Sequence, residues 1–177
     1  MPAEGGHPSW LVEPLAQRHD RGAFSSGNEA LDHYLSEQAG QDAKRRAAAP
    51  FVLVAPPDLQ GILGYHTLSA FGIDLDELPS DVARKLPAYP VVPATLLGRL
   101  AVDHRHTGKG LGEFLLIDAL RRALAQSAQI AATAVVVDAI DDQAVRFYEH
   151  FGFIPLPSRR NRLFLPMQTI AALFRGA

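Results

Sequence analysis

The sequence predicts a single α/β domain in which helices flank one mixed, mostly antiparallel central sheet. The chain has 177 residues, a length that suits one compact domain. Hydrophobic residues make up 47% and charged residues 20%, which is the balance of a folded globular protein and not of a disordered chain. Antiparallel strand-like segments come first, and a β–α–β–α–β succession follows them. That order predicts helices layered against a sheet.

The first half of the chain has one long helix among strand-like segments. This helix is predicted to start after a cap at Asn28 and to reach Arg46, because its apolar residues recur every three or four positions. The predicted strands of this half are residues 10–12, 51–55 and 62–70. The last two flank a short turn and are expected to form an antiparallel hairpin. Residues 71–94 hold several prolines and are expected to be a long irregular segment, which suggests a functional or interface role.

The second half alternates buried strands with helices. Its predicted strands are residues 95–102 and 134–139 and a last one near 163–165. The first of these is apolar on both sides and is expected to be central in the sheet. A long helix over residues 110–126 carries a broad apolar stripe, and a short helix capped by Asp141 or Asp142 is expected to run to His150. Residues 167–174 predict a weak final helix.

Composition excludes several classes of function. The chain has no cysteine, which excludes disulfide scaffolds, thiolate metal sites and cysteine nucleophiles. The longest nearly apolar run, residues 130–137, is far shorter than the roughly 18 residues that a membrane span needs. Residues 1–9 lack signal-peptide features, so we expect a flexible tail there, a domain at 10–177 and a cytoplasmic protein. The formal charge of −2 excludes a wholly basic nucleic-acid binder and leaves local basic patches open.

The most informative segment is the turn between the central strand and the long helix. Arg105, Gly108 and Gly110 form an R-x-x-G-x-G pattern there. Closely spaced glycines let a ligand approach the backbone, and the first amides of a helix form an anion site. The turn therefore predicts phosphate or pyrophosphate binding, with a plain glycine turn as the alternative. Walker A and dinucleotide fingerprints both fail, because Gly110 follows Lys109 and Glu113 stands where a further glycine is needed.

A second motif lies one strand later, at residues 147–153, and reads F-Y-E-H-F-G-F. Together with the glycine turn it resembles the GCN5-related N-acetyltransferases, the GNAT family. The resemblance implies splayed strands at an acetyl-CoA site, a pantetheine arm paired with the strand before the turn, and a pyrophosphate on the turn. It also implies that Tyr148 is the general acid for the departing thiolate; the alternative is a core aromatic. The implied cofactor-binding residues are Leu100, Ala101, Val102, Arg105, Thr107, Gly108, Lys109, Gly110, Leu111, Gly112 and Asp141.

A closer resemblance covers nearly the whole chain. The segments that carry it are 24–27 (F-S-S-G), 31–35 (L-D-H-Y-L), 64–69 (G-Y-H-T-L-S), 97–103 (L-G-R-L-A-V-D) and 163–166 (L-F-L-P). Together they resemble the acetyltransferase toxins of bacterial toxin–antitoxin pairs. The resemblance implies acetylation of the α-amino group of the amino acid on aminoacyl-tRNA, which blocks translation. It also implies a homodimer and a small ribbon-helix-helix antitoxin.

Clustered arginines give partial independent support for an RNA substrate, because guanidinium groups near a cleft suit phosphate contacts. Solvated surface charge is the alternative for each of them. The candidate RNA contacts are Arg45, Arg46, Arg99, Arg159, Arg160 and Arg162.

No strong general base is required for such a substrate. An α-amino group, with a reference pKa of about 8, is already partly neutral at physiological pH. If a base exists, its candidates are His66, His104, His106 and His150, each of which also fits a structural role. No metal is expected, because His104 and His106 lack a third ligand at suitable spacing. A serine hydrolase is disfavoured, since the chain has no G-x-S-x-G.

Two other functions stay open at this point. The first is an acetyltransferase of a small amine, a drug or a protein N-terminus, for which the acidic run 74–77 could line an acceptor pocket. The second is a non-enzymatic acyl-CoA-binding module. Tyr148 argues against the second, because a binding module has no need of an acid for a thiolate.

Overall fold

A computed structural model describes residues 9–176 of the chain. The strands are β1 (Leu11–Pro14), β2 (Ala49–Val54), β3 (Gly64–Asp74), β4 (Val91–Val102), β5 (Ala134–Asp138), β6 (Ile154–Leu156) and β7 (Arg159–Pro166). The helices are α1 (Glu29–His33), α2 (Ala39–Arg45), α3 (Ser80–Ala83), α4 (Leu111–Ser127), α5 (Asp142–His150) and α6 (Met167–Arg175). The tail expected at 1–9 lies, apart from Ser9, outside the described residues.

The strands form one seven-stranded sheet in the order β1-β2-β3-β4-β5-β7-β6. β4 and β5 pair in parallel, whereas the pairs β1–β2, β5–β7 and β6–β7 are antiparallel. The prediction of a mixed, mostly antiparallel sheet with a central strand before the glycine turn is therefore confirmed. The register between β4 and β5 ends at the pair Leu97 and Val137, and β4 runs on to Val102.

Packing divides the chain into two compact units. The first runs through Thr67 and adds Arg99–Asp118, and the second comprises Leu68–Gly98 and the residues from Ala119 onward. β3, β4 and α4 contribute residues to both units.

The first unit contains the helix predicted after Asn28, but in three parts. The Asn28 side chain accepts a hydrogen bond from the Leu31 N–H at 3.2 Å, as an N-cap does. A π-helical turn at Tyr34–Gln38 joins α1 to α2, so the helix predicted to reach Arg46 is confirmed over Glu29–Arg45, with a π turn in its middle that was not predicted. Apolar spacing alone cannot signal the π turn. Its extra residue brings Ala39, which is fully buried, onto the same buried face as Leu31.

β4 faces two apolar clusters of the first unit in alternation. Ala101 packs in a cluster with Tyr34 and Tyr65, and Leu100 and Val102 pack against another that contains Leu115 of α4. This is the pattern of a strand, in which successive side chains lie on opposite faces. Side chains are thus packed on both faces of this end of β4. Its backbone N–H and C=O groups beyond the last pair with β5 are the groups left for hydrogen bonds to a ligand.

The second unit corrects the prediction of an irregular segment at 71–94. β3 extends to Asp74 and β4 starts at Val91, so only the stretch between them is irregular, with a 3₁₀ turn at Leu75–Glu77 followed by α3. Ile73 and Val92 are buried in an apolar cluster with Phe164 of β7. Burial in the sheet's core therefore outweighs the local proline signal. The short β6 was not predicted, because its three residues carry no periodic pattern.

Candidate active site

The glycine turn follows β4 through a 3₁₀ turn at His104–His106. Gly108 and Gly110 have φ of +79° and +82°, a left-handed conformation that side-chain-bearing residues rarely adopt. A Cβ at either position would meet no atom within 4 Å, so the backbone there is open to a ligand. The Phe114 N–H donates to the Gly110 carbonyl at 3.1 Å. The amides of residues 111–113 precede this first α-helical bond and point out of the helix end.

This opening lies at the positive end of the 17-residue helix α4. The Leu111 side chain is buried in the core, and Gly112 lies within the first helical turn, so these two residues offer backbone N–H groups. Lys109 is exposed, with its Nζ 3.3 Å from Nδ1 of His106. The exposed Thr107 hydroxyl donates to the His104 carbonyl at 3.1 Å. The geometry is that of an anion site with the exposed Lys109 ammonium close to it in the chain.

Arg105, expected beside the bound pyrophosphate, is engaged by a buried carboxylate. Its Nε and Nη2 donate to the two oxygens of Asp103, each at 2.9 Å. Asp103 is fully buried and also accepts the backbone N–H groups of Ser25 and Arg105 at 3.1 and 3.0 Å. These bonds, the Arg105 side chain's first, hold the pKa of Asp103 well below its usual range. Arg105 thus fastens the turn to the segment around Ser25, and a phosphate contact of Arg105 stays a prediction.

We expect Asp103→Asn to destabilise the protein at neutral pH by about 2 kcal/mol, because charge-assisted bonds to a buried carboxylate are lost. The figure is at the modest end, since Arg105 is more than half exposed and solvent screens the pair. The pKa of Asp103 is lower in the folded protein than in the unfolded chain, where it is about 3.9. The ionised carboxylate therefore stabilises the protein above about pH 3.9, and this stabilisation is lost as pH falls through the folded-state pKa. Urea unfolding should therefore separate the two proteins most at pH 7, and the difference should start to shrink only below about pH 3.9, as pH falls toward the folded-state pKa of Asp103.

Asp58→Asn is the matched control for this prediction. Asp58 also has a lowered pKa, caused by the backbone N–H groups of Gln60 and Gly61, but it lies in an exposed turn and pairs with no arginine among residues 9–176. We expect little change in unfolding from Asp58→Asn. Equal losses from the two substitutions would contradict the role assigned to Asp103.

The second unit holds the aromatic motif on α5. Asp141 is the N-cap of this helix, and its carboxylate accepts the Ala144 N–H at 2.8 Å. The cap predicted at Asp141 or Asp142 is therefore confirmed at Asp141. Because one carboxylate oxygen is used by the helix, the expected cofactor contact of Asp141 stays a prediction.

Tyr148 has a buried ring and a hydroxyl without a hydrogen-bond partner among the described residues. Its ring packs edge-on against Phe147 and Phe153, at centroid distances of 5.1 and 5.4 Å. The other two buried tyrosines use their hydroxyls, since Tyr34 donates to Asp42 at 2.8 Å and Tyr65 to the Leu31 carbonyl at 2.7 Å. Within residues 9–176 the Tyr148 hydroxyl has no such partner.

Burial raises the pKa of Tyr148 above its usual value, so the hydroxyl keeps its proton at neutral pH. Buried tyrosine hydroxyls are usually hydrogen-bonded within the protein. A rigidly held phenol without a protein partner is therefore a proton donor available to a ligand.

The candidate RNA-binding arginines fall into two groups. In the first unit, Arg45 and Arg46 are exposed at the end of α2, and the Arg99 guanidinium lies 3.5 Å from the centre of the Tyr34 ring. In the second unit, Arg159 and Arg160 are exposed at the start of β7.

Arg162 differs from the other candidates because its charge is used inside the sheet. It donates to both oxygens of Asp138, at 2.7 and 2.9 Å, and its guanidinium lies 4.9 Å from the Phe71 ring centre. Its side chain is only 13% exposed. The Asp138 bonds raise the pKa of Arg162. This residue ties β7 to β5, and the sequence held no local signal of that partner.

The four candidate histidines all have contacts of their own. His66 is buried against Asp118, with Nε2 2.8 Å from Oδ2, and Nδ1 of His104 donates to the Ser25 carbonyl at 2.8 Å. His106 faces Lys109, and His150 packs edge-on against Phe151.

Over the described range 9–176, no group of three or more His, Asp or Glu side chains could hold a metal ion. Nor does any helix in that range have the length and apolar character needed to cross a membrane.

Two residues at these sites were not predicted from the sequence. Asp103 had a usable signal, because an aspartate directly after a buried strand and just before an arginine suits a charge pair at a turn. Tyr34 had none, because its contact with Arg99 joins segments far apart in the chain.

Comparison with known proteins finds acetyltransferases. Residues 94–171 match the model of the acetyltransferase (GNAT) domain. The chain is 30% identical to a probable toxin TacT of Sinorhizobium fredii, over 97% of this chain and 98% of that protein. It is 33% identical to a tRNA-acetylating toxin of Mycobacterium tuberculosis, over 90% of this chain and 93% of that protein.

Solved structures give the same result. A tyrosine-to-phenylalanine mutant of KacT superposes with a TM-score of 0.88 at 31% identity, covering 93% of this chain and 99% of that one. AtaT complexed with acetyl-methionyl-tRNAfMet superposes with a TM-score of 0.86 at 30% identity and the same coverage. A mutant of AtaT bound to acetyl-CoA and the C-terminus of the antitoxin AtaR gives 0.79 at 27% identity, covering 93% of this chain and 98% of that one.

Proposed function

The chain belongs to the GNAT family of acetyl-CoA-dependent acetyltransferases, and from that premise we propose that it acetylates the α-amino group of the amino acid on aminoacyl-tRNA. Its product would be unable to take part normally in translation, so the protein acts as a toxin. The observation that supports aminoacyl-tRNA as the substrate is the near-full-length similarity to a tRNA-acetylating toxin. The acetyltransferase domain is assigned to residues 10–177.

The glycine turn fits the cofactor. Its two left-handed glycines leave open space where a Cβ would stand, and the adjoining helix end offers unshared amides. In the proposal, the amides of residues 108–112 and the Lys109 ammonium hold the pyrophosphate, with Arg105 keeping the turn in place. The backbone of residues 100–102 binds the pantetheine arm as an added strand. Acetyl-CoA supplies the activated acetyl thioester.

Tyr148 supplies the proton that the reaction needs. As the amine forms its bond to the acetyl carbon and the C–S bond breaks, the Tyr148 hydroxyl donates its proton to the sulfur. The amine loses one proton to solvent, and Tyr148 regains one from solvent, so the protons balance. Because an α-amino group is already partly neutral near pH 7, no histidine is assigned as a base.

Five arginines are proposed to contact the RNA: Arg45, Arg46, Arg99, Arg159 and Arg160. They are the candidates whose guanidinium groups are not paired with a carboxylate in the described part of the chain. Arg162 is left out of this set, because Asp138 already binds it at two points. Guanidinium groups bind phosphates without reading sequence, which suits recognition of the backbone near a tRNA end.

The proposal extends to the protein's partners. Solved relatives include a mutant of AtaT bound to the C-terminus of the antitoxin AtaR and an AtaT–AtaR complex with bound DNA. By this similarity we propose an antitoxin of the ribbon-helix-helix type for this chain, a homodimeric state and action in the cytoplasm, where aminoacyl-tRNA is found.

The test is transfer of labelled acetyl from acetyl-CoA to a bulk pool of charged tRNA. We expect label on charged tRNA only, sensitive to mild base that cleaves the aminoacyl ester. Deacylated tRNA is the control for the amino group, and the Tyr148→Phe protein is the control for catalysis. No label on charged tRNA, from a protein that still binds acetyl-CoA, would contradict the proposed substrate.

One observation favours a second candidate function, acetylation of a small cationic amine. An open cavity of about 530 Å³ in the second unit is lined by Asp74, Asp76, Glu77 and Tyr89 among its residues. Carboxylates beside an aromatic ring attract amines. Label transferred to a panel of diamines, and reduced by Asp76→Asn, would support this candidate; transfer confined to charged tRNA would exclude it.

A further inference from the structure

Arg99 differs from the other arginines beside buried strands in how its charge is satisfied. Arg105 and Arg162 each close both arms of the guanidinium on a carboxylate, Asp103 and Asp138. Arg99 instead stacks on the Tyr34 ring, 3.5 Å from its centre. Within residues 9–176 it has no carboxylate or hydrogen-bond partner. Its planar face is held while its N–H edge stays available.

The position of Arg99 follows from strand geometry. Side chains two residues apart on a strand share a face, so Arg99 lies on the same face of β4 as Ala101. Ala101 packs in the apolar cluster that contains Tyr34 and Tyr65. The guanidinium is therefore brought to the edge of a buried aromatic pair, directly before the strand residues that we assign to the cofactor.

The Tyr34 ring is fixed on several sides. It is 2% exposed, lies nearly parallel to the Tyr65 ring, and donates its hydroxyl to Asp42 at 2.8 Å. Tyr34 begins the π turn and Asp42 follows it in α2, and the extra residue of the turn brings the two to nearly the same side of the helix. The helical irregularity thus serves to anchor the ring that carries Arg99.

A stacked guanidinium is well suited to a phosphate. Stacking uses the face of the group and leaves its N–H donors in the plane, where they match two oxygens of one anion. Holding the group in advance also reduces the entropy lost when the anion binds. An unstacked surface arginine gives the same charge without that orientation.

We propose that Tyr34 is a positioning residue, which holds the Arg99 guanidinium ready to bind a backbone phosphate of the RNA substrate. The RNA as ligand rests on the proposed function. A phosphate of coenzyme A would offer the same chemistry, but the glycine turn and Lys109 already provide a site for it. Binding measurements with each ligand separate the two sources.

The experiment compares Tyr34→Leu, Tyr34→Phe and Arg99→Lys with the native chain. Dissociation constants are measured for fluorescently labelled bulk tRNA and for acetyl-CoA, beside KM and kcat for acetyl transfer. We expect Tyr34→Leu, which removes the ring face, and Arg99→Lys, which removes the planar fork, each to weaken tRNA binding about tenfold. Tyr34→Phe keeps the ring and should stay within about threefold of the native value. Acetyl-CoA binding and kcat at saturating tRNA should be unchanged.

The double variant Tyr34→Leu/Arg99→Lys should bind tRNA no more weakly than either single variant, because both remove the same contact. Tyr65→Phe is the matched control, since it removes a buried hydrogen bond of the same cluster, to the Leu31 carbonyl, but keeps the ring that packs on Tyr34. It should lower thermal stability and leave the dissociation constant for tRNA unchanged. Arg99→Lys carries the test if Tyr34→Leu does not fold.

Any of four results would overturn the inference: unchanged tRNA binding in a folded Tyr34→Leu, unchanged tRNA binding in Arg99→Lys, a matching loss in Tyr65→Phe, or weakening of acetyl-CoA binding in place of tRNA binding. A native chain that does not bind tRNA would overturn it together with the proposed function. A native chain that binds tRNA through Tyr34 and Arg99 but transfers no acetyl would contradict the proposed function alone.

Discussion

Tyr148→Phe is expected to lower kcat by about 100-fold or more, the size of effect that a positioned proton donor commonly supplies. The substitution removes one oxygen from a ring that is otherwise held by Phe147 and Phe153. Because the hydroxyl has no partner in the described chain, no internal hydrogen bond is lost and stability should hardly change. Acetyl-CoA affinity should also stay within about twofold, since the pyrophosphate site does not involve this residue. Steady-state kinetics, calorimetric binding and thermal unfolding measure the three quantities.

Tyr65→Phe is the matched control for this experiment. It removes the hydroxyl of another buried tyrosine, but here a hydrogen bond to the Leu31 carbonyl is lost. We expect a loss of about 1 kcal/mol in stability and an unchanged kcat. A native kcat in Tyr148→Phe would refute the acid role.

The pH profile gives an independent check on Tyr148. A general acid stops working when pH rises through its pKa, and burial moves the pKa of Tyr148 upward. The native enzyme should therefore show no loss of kcat from tyrosine ionisation up to about pH 10, the reference value. A falling limb centred near pH 8 that disappears in Tyr148→Phe would mean that the environment lowers this pKa instead.

Gly110→Asp is expected to weaken acetyl-CoA binding by about 100-fold or more. The φ of +82° is strained for a residue with a Cβ, and the new carboxylate stands at the helix end where a phosphate would bind. Repulsion between two anions adds to the loss of the open backbone. Isothermal titration with acetyl-CoA measures the effect, and thermal unfolding reports whether the fold is kept.

Two control variants separate strain from charge. Gly110→Asn has nearly the same shape, tolerates the left-handed conformation and carries no charge, so it should lose much less affinity. Gly27→Asp adds the same strain and charge at another left-handed glycine with open surroundings, outside the turn. Acetyl-CoA binding by Gly27→Asp should be native. Native binding by Gly110→Asp would show that the turn does not hold the pyrophosphate.

Short-range features of the chain were predictable because the chemistry that sets them is local. Asn28 and Asp141 cap the helices that follow them, since each side chain accepts an N–H three residues on. The long helix α4 and the buried strands β4 and β5 agree with their periodicity to within a few residues. Gly108 and Gly110 leave their backbone open, as the closely spaced glycines predicted, and they do so with a left-handed φ.

Elements that depend on distant partners were not predictable in this way. The ends of β3 and β4 carry loop-like residues, and they are strands because Ile73 and Val92 are buried against β7. Arg162 looked like one of three equivalent arginines, and Asp138 on the neighbouring strand makes it an internal ion pair. Arg105 is a different case, because its partner Asp103 is only two residues away and had a usable local signal; the phosphate contact of Arg105 stays a prediction beside this ion pair.

The sequence by itself determined the family and the order of the elements, and it predicted the anion-binding role of the glycine turn and the catalytic role of Tyr148, because each depends on residues that are close together in the chain. Tertiary structure decided which arginines form ion pairs inside the protein and which stay available to a ligand. Arg99 stays available because the side chain it meets is the aromatic ring of Tyr34, whereas Arg105 and Arg162 meet carboxylates. An ion pair neutralises a guanidinium and occupies its donors, whereas stacking orients the group and leaves both its charge and its donors for a ligand.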